Sequence, residues 1–536
     1  MKSKLALLLA LMLLVSVFFG CQANQQPEAT SPVTNEPSGN ENTPSGNENT
    51  PTDTPANPDR VAKDTITIVT ESEPETLDPA SANTDAIALT LGMIGDHLFD
   101  LQADGSITLG GICESYEQVD EITAKFVLKE GVKFSDGSDL TAEDIIWELA
   151  RLKEAPRSAS HFAFVNIEES EAVDDRTVVI KFNKAWAPYQ NTLATGRGTI
   201  VSKAAFESMG EADFSRAPVT TGPYKVAEWI PGTSITLVRN EYYWGEPAKT
   251  EKIVIKFIPE ATSRVIELET GAADIAYYIE GNDVARVDAL DGYHVESGDA
   301  YRYFVITLSM QEPLFQDVRV RQALCYAIDQ ELLVEASSDG LGTPITGFCS
   351  TPAAGYKALD PWPYDVEKAK ALMAEAGYAD GFTIDLHIEP LTIYEKAAEI
   401  IQSMWAEIGV TANIVSSALA TYDAQHNGQF QACIRDSTAS EISNMLIIYE
   451  SSFGSRLQGN DDWLDAKLLE LRTYYYDDPQ RQVCLDEIFN YLNEKRYSYP
   501  YMNMPINYAV SDKLEGFEFH PAIDHMKHIA DWVVYE

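Results

Sequence analysis

Positive charge is what this 536-residue chain has least of. Its 39 lysines and arginines stand against 83 aspartates and glutamates, a formal net charge of −44. Gripping nucleic acid takes a basic face, so nucleic acid is excluded as a partner. The simplest use of so much acid is solubility outside the cell. Cysteine is scarce as well: the six are Cys21, Cys113, Cys325, Cys349, Cys433 and Cys484, and no two form a Cys-x-x-Cys pair. That removes the usual zinc knuckle. Cys325 and Cys484 fall in helical patterns where a thiol packs as a small apolar group, so no disulfide framework is expected. Enzyme signatures are also missing. There is no Gly-x-Ser-x-Gly elbow, no His-Glu-x-x-His, no Walker loop and no Gly-x-Gly-x-x-Gly. The chain is therefore read as a non-enzyme with no catalytic residue. Its eight histidines are scattered, except His520, His525 and His528. Of these, His525 and His528 lie one helical turn apart, but Pro521 and Lys527 beside them do not favour a closed site. No metal and no cofactor is expected.

What is present begins with Lys2 and Lys4, then the apolar run Leu5 to Leu14, then Gly20-Cys21. A basic start, an apolar core too short to span a membrane and a small residue at the cut describe a secretory signal over residues 1–20. Gly20-Cys21 resembles a bacterial lipobox, which makes Cys21 the lipidated first residue of the mature chain. Residues 21–62 read as a disordered tether rich in Pro, Asn and Thr, with Pro-Ser-Gly-Asn-Glu-Asn-Thr written twice, at 37–43 and 44–50. Without an aromatic residue between 22 and 60 it cannot bury enough surface to offset chain entropy. A flexible tether of roughly 39 residues reaches about 35 Å.

The remainder alternates strand and helix patterns, and its length calls for two or three lobes. Thr65–Thr70 and Ile122–Leu128 read as strands, and Ile87–Leu98 as a helix. Thr141 with Asp144 three residues on forms a capping box that opens an amphipathic helix. Further helices are expected over 317–329, capped by Asp317, and over 365–378, closed by Gly377. Others follow over 394–408, 461–472 and 479–495, the last with Asp478 as cap and Pro479 in its first turn. Gly409 and a strand over 410–415 follow the first of these three. This order gives mixed α/β lobes rather than a sandwich or a bundle.

One stretch organises the chain: Thr220-Thr221-Gly222-Pro223-Tyr224-Lys225-Val226, a Pro231-Gly232 turn, then a strand running into Arg239-Asn240-Glu241-Tyr242-Tyr243-Trp244-Gly245. By its residues it is a hairpin with a rigid entry. It resembles the signature of the peptide/nickel class (family 5) of extracellular solute-binding proteins of ABC importers. Lys129-Glu130-Gly131-Val132-Lys133-Phe134-Ser135-Asp136-Gly137 and Leu140-Thr141-Ala142-Glu143-Asp144 resemble that family too, as does Leu77-Asp78-Pro79. The resemblance covers roughly residues 64–536 and implies an α/β, two-lobed periplasmic-binding-protein-like fold of the large class, type II, with mixed sheets and an extra inserted domain. Lobe I would be residues 63–100, 218–300 and 505–536; the inserted domain II, 101–217; lobe II (domain III), 301–504. The implied function is capture of oligopeptides or dipeptides by hinge closure and delivery to a permease–ATPase complex. The protein would act as a monomer at the outer face of the cell membrane, anchored by its lipid.

Residues matching the family's ligand positions follow from the same likeness. Asp436, in Cys433-Ile434-Arg435-Asp436, is the expected anchor for a peptide ammonium, and Arg435 is placed to pair with an anionic group. Glu73 with Ser72 in the first loop, His161 with Phe162, and Cys433 complete the expected ligand set. Two alternatives stay open: the same fold holding a nickel chelate, opine or oligosaccharide, and a signalling or chaperone-like surface lipoprotein that feeds no transporter.

Overall fold

The computed structural model describes residues 60–81, 84–417, 430–451, 460–476, 478–522 and 528–536. The signal segment, Cys21, the tether up to residue 59 and His525 lie outside the described residues. The alternating strand Thr65–Thr70 buries Ile66 and Ile68 and pairs in parallel with both Lys252–Phe257 and Ile275–Tyr277. The hairpin Tyr224–Ile230 and Ser234–Arg239 adds two antiparallel strands outside them. On the inner side Ile275–Tyr277 pairs with Ser498–Ser511, which pairs with Tyr293–Leu308, which pairs with Ala432–Thr438. The parallel strands Phe382–Ile388 and Val410–Ser416 complete the sheet. One sheet thus runs through both halves of the unit formed by Asp59–Glu536. Two long strands, of 16 and 14 residues, are common to both.

Register fixes where a crevice must lie. Tyr277 is opposite Tyr508 and Ile275 opposite Val510, so this strand advances toward the middle of Ser498–Ser511. Asp436 is opposite Phe304 and Thr438 opposite Arg302, so the strand from the other half advances toward the middle of Tyr293–Leu308. Carboxyl ends of parallel strands from both halves therefore face one another across the centre of the long pair. Open α/β sheets hold their ligands at such ends. At that centre the long pair slips register, between Asp299 and Tyr303 and again at Phe304 and Val305, and slipped pairing bends and twists a strand locally.

Helix starts follow the sequence closely. Thr141 and Asp144 form the capping box of Ala142–Glu154, and Asp317, Asp365, Asp461 and Asp478 each accept a hydrogen bond from the first turn of their helix. The helix expected over 317–329 is Val318–Tyr326, and Asp329 caps a separate one that follows it, Gln330–Ser337. The helix expected to reach Leu98 ends at Ile94. Its end is where the hairpin signature acts. Gly222 N–H donates to the Ile94 carbonyl at 2.9 Å, and a Cβ on Gly222 would lie 2.4 Å from that carbonyl. Asn240 Nδ2 donates to the Gly222 carbonyl at 2.8 Å, and Trp244 Nε1 to Asp96 Oδ2 at 2.9 Å. The signature thus clamps the hairpin to helix Asp85–Ile94.

The segment 101–217 carries a four-stranded antiparallel sheet, Cys113–Asp120, Thr123–Leu128, Thr177–Phe182 and Val165–Ala172, with helix Ala142–Glu154 against it. The Arg151 guanidinium ties it to the first loop, donating to Asp78 Oδ2 at 2.7 Å and to Glu148 Oε1 at 2.8 Å. Two buried carboxylates share one cation here, a net charge of −1. Burial outweighs Arg151 and pushes Glu148 up to about 7. A carboxyl whose folded pKa is raised costs stability in its ionised form, fully above that pKa and not at all below its ordinary value. Glu148→Gln is therefore expected to raise stability by about 1–3 kcal/mol at about pH 8, with the gain shrinking toward pH 4.5. Guanidinium unfolding of both proteins across that range checks it.

Candidate functional site

Where the carboxyl ends meet, the two halves put charge opposite charge. From one side comes Asp436, at the end of Ala432–Thr438. Its Oδ2 accepts from Arg302 Nε at 2.9 Å and its Oδ1 from the Tyr394 hydroxyl. Arg302 lies in the central stretch of Tyr293–Leu308, and Tyr394 in the first turn of helix Thr392–Ala406. Burial works to raise the Asp436 pKa, but Arg302, the Tyr394 hydroxyl and Arg435 outweigh it and hold the carboxyl below its ordinary value. Burial likewise opposes the Arg302 charge, and Asp436, Tyr394 and Asp85 more than restore it. Asp85 belongs to the other half, so Arg302 feels carboxylates from both.

That other half is built around Arg264. Its guanidinium is buried and donates to four main-chain carbonyls: Tyr277 at 3.0 Å, Ile258 at 2.9 Å, Pro259 at 2.7 Å and Tyr278 at 2.6 Å. These carbonyls lie at the carboxyl ends of Lys252–Phe257 and Ile275–Tyr277, the strands on either side of Thr65–Thr70, and the guanidinium bridges the two. Tyr278 is turned into the left-handed region at φ 57°, and its hydroxyl donates to Asp85, the first residue of the helix that the hairpin signature clamps. Glu71, directly after Thr65–Thr70, sits among these charges. Glu71 is open to solvent, yet the protein around it is the main reason its pKa is raised, Asp85 adding to it while Arg264 and Arg302 oppose it.

Arg435 is one residue before Asp436 and faces the opposite side of the strand. Its Nε donates to the Asp436 carbonyl at 3.2 Å, and its Nη1 is buried with no hydrogen-bond partner. His161 lies in the short helix Ala159–Phe162 of the inserted segment. Its ring is open to solvent, yet the surrounding protein and then the Arg197 charge lower its pKa to about 4, so it is neutral at pH 7. Ser72 is exposed on the first loop.

Three of the expected ligand residues are committed elsewhere. Glu73 accepts from Trp229 Nε1 at 2.7 Å and from Gly232 N–H at 2.8 Å, so both its oxygens fasten the first loop to the hairpin. Phe162 is fully buried, its ring centroid 6.3 Å from that of Phe164 in the core of the inserted segment. Cys433 is fully buried, its Sγ 2.8 Å from Thr307 Oγ1 on the neighbouring strand. Reading the sequence missed Arg302, Arg264, Asp85, Glu71, Tyr278 and the hydroxyl of Tyr394. The one available signal was Glu71, next to the loop already singled out.

No three His, Cys, Asp or Glu side chains are grouped to hold a metal ion among the described residues. A cavity of about 300 Å³ behind helix Asp85–Ile94 is lined by Asp96, Trp244, His528 and Asp531. Exposed Lys129, outside that lining, has its Nζ 4.7 Å over the Trp244 ring, and its charge acts on Asp96.

The family model for bacterial extracellular solute-binding proteins, family 5 (middle region), matches residues 109–456. The chain belongs to that family. Family-5 proteins are solute-binding components of ABC importers, so this chain is a transport protein and not an enzyme. The glutathione-binding protein GsiB of Salmonella typhimurium is 30% identical over 381 residues, 70% of this chain and 74% of that protein. GsiB of Escherichia coli K12 is 29% identical over 378 residues, 69% and 72% of the two chains. Among solved structures, the substrate-binding protein CtaP of Listeria monocytogenes superposes with a TM-score of 0.79 at 20% identity, over 89% of this chain and 100% of that one. NikA of Brucella suis, in complex with Fe(III)-EDTA, gives 0.77 at 22% identity over 88% and 99%. DppA of Helicobacter pylori, in complex with the peptide STSA, gives 0.75 at 20% identity over 88% and 98%. The fold is the two-lobed one of periplasmic binding proteins. No helix among the described residues is long and apolar enough to cross a membrane.

Proposed function

We propose that this chain is a lipid-anchored receptor that captures oligopeptides or dipeptides by closing two lobes on them and passes them to a permease–ATPase complex. The observation that carries the reading is Asp436, kept ionised at the mouth of its strand by Arg302 and Tyr394. A carboxylate has about four acceptor positions, and these two partners use one each, which leaves room for an ammonium group. Glu71 and Asp85 add negative charge from the other lobe, so an ammonium between the lobes has carboxylates on both sides.

Lobe I would comprise residues 63–100, 218–300 and 505–536, the inserted domain 101–217, and lobe II 301–504. The hinge would be the slipped register near Asp299–Tyr303 and Asn503–Pro505. A ligand that touches both lobes only when they are closed shifts the population to that form. A micromolar ligand contributes about −8 kcal/mol at standard state, more than a gap of a few kcal/mol between open and closed. Cys21 would carry the lipid and residues 21–62 the reach, with the receptor acting as a monomer. Support for peptide as the cargo comes from relatives: GsiB is a glutathione-binding protein, DppA was solved with STSA, and AppA of Bacillus subtilis with a nonapeptide.

The test is Asp436→Asn, which keeps shape and removes charge. Affinity for peptides with a free amino terminus is expected to fall about 10- to 150-fold by calorimetry, the loss of a partly buried charged hydrogen bond. Unchanged affinity would remove Asp436 as the anchor.

A further inference from the structure

The inserted segment 101–217 is fastened to lobe I and also touches lobe II. We infer that its stretch 186–191 is a clasp, gripping Arg472 and Ser440 of lobe II when the lobes are shut and releasing them as they part. Affinity is then set in part by residues that never meet the cargo. The inference rests on the peptide reading and the lobe boundaries above.

The fastening to lobe I is dense. Arg151 holds Asp78, and Ser158 Oγ donates to the Ala80 carbonyl at 2.7 Å. Leu77 N–H donates to the Ser215 carbonyl at 2.7 Å, and Ser135 N–H to the Thr220 carbonyl at 2.8 Å. The insert therefore moves with the half that carries Thr65–Thr70 and the hairpin.

Its contacts with lobe II are fewer. Arg472 directly follows helix Asp462–Leu471, at an end where carbonyls lack partners within the helix. Its carbonyl accepts from Ala187 N–H at 2.8 Å, so the insert supplies a missing donor. The Arg472 guanidinium, paired with Glu450, lies 4.9 Å from the centre of the Trp186 ring. Asn191, 4% exposed, donates from Nδ2 to Ser440 Oγ at 2.9 Å. The rings of Tyr189 and Tyr475 meet edge to face at 6.5 Å. Ser440 stands four residues beyond Asp436, just past the end of the anchor strand.

A main-chain bond, a side-chain bond and two ring contacts thus join the lobes away from the long strands they share. Contacts made only in the closed form stabilise it, and every ligand that needs that form gains by the same factor. A neutral hydrogen bond or a cation–π contact is modest, so such a clasp tunes the balance without locking it.

The test starts from a panel of di- to pentapeptides, from which native mass spectrometry selects two of different length that the purified protein retains. By calorimetry Ser440→Ala is expected to weaken both by one common factor, about 2- to 12-fold. Trp186→Leu is expected to do the same, by about 2- to 5-fold. Ser440→Thr, which keeps the hydroxyl, is expected to bind both as the native chain does. Hydrogen exchange without ligand gives a second reading. In the double variant the amides of 186–191 are expected to exchange several-fold faster, with those of Thr123–Leu128 in the same insert unchanged. A general weakening of the insert would speed both. Losses that differ between the two peptides, or native affinity and exchange in the double variant, overturn the inference and leave the peptide reading standing. If the native chain retains no peptide, the peptide reading fails, and exchange at 186–191 alone decides the clasp.

Discussion

Arg264→Ala is expected to cost about 3–5 kcal/mol of stability, read as a lower denaturant midpoint with an unchanged slope. The side chain is buried, and its guanidinium serves four carbonyls at the carboxyl ends of Lys252–Phe257 and Ile275–Tyr277. Alanine leaves acceptors with no donor and a void the size of an arginine. Each charged hydrogen bond contributes about 1.5–3 kcal/mol, but the buried cation carries a desolvation cost, which sets the net below the simple sum. That cost is visible in the Arg264 pKa, which burial lowers from its ordinary value. Arg264→Lys, with three donors in place of five, is expected to recover part of the loss. A full recovery would mean that charge alone matters. The same variant should weaken ligand binding, because Arg264 holds Tyr278 and Tyr278 holds Asp85.

Gly381→Ala is expected to cost about 3–5 kcal/mol, whereas Gly409→Ala should cost only about 1 kcal/mol. Both residues have positive φ, 75° and 83°, just before the parallel strands Phe382–Ile388 and Val410–Ser416. Strain from φ is therefore common to the two substitutions. Space is not. A Cβ on Gly381 would stand 1.8 Å from the Gly409 carbonyl oxygen, while a Cβ on Gly409 meets nothing nearer than 3.3 Å. The first change forces the strands apart where their pairing begins, at Phe382 opposite Val410. Equal effects from the two variants would show that the close approach does not hold that register.

Much of this fold could be read residue by residue because its signals are local. Asp317, Asp365, Asp461 and Asp478 each precede a helix, and the turn at Pro231-Gly232 needs only its own neighbours. The two long strands could not be read that way. Tyr293–Leu308 passes through Glu296-Ser297-Gly298-Asp299, a stretch with the composition of a loop. Ser498–Ser511 contains Pro500 and Pro505, residues that argue against a central strand. Both prolines sit opposite the slipped register, Pro500 across from Val305 and Pro505 across from Asp299, where the regular ladder is interrupted in any case. The site was legible only in part for a related reason. Asp436 shows itself as a charge at a strand end, but its partners Arg302 and Tyr394 come from 134 and 42 residues away. Glu73 shows a carboxylate in a conspicuous loop, and nothing nearby reveals that Trp229 and Gly232 occupy it.

The position of Ser498–Ser511 has a consequence for how the molecule comes into being. In chain order it follows every other strand of its sheet, yet it lies between Ile275–Tyr277 and Tyr293–Leu308 at the centre. Until it arrives, both of those strands have a bare edge and the sheet is in two pieces, a long-range closure that is slow to form. The two halves of the sheet can join only once Ser498–Ser511 has been made, so their joining comes late in folding. Removing Ser498–Ser511 would leave the sheet in two separate pieces rather than one strand shorter.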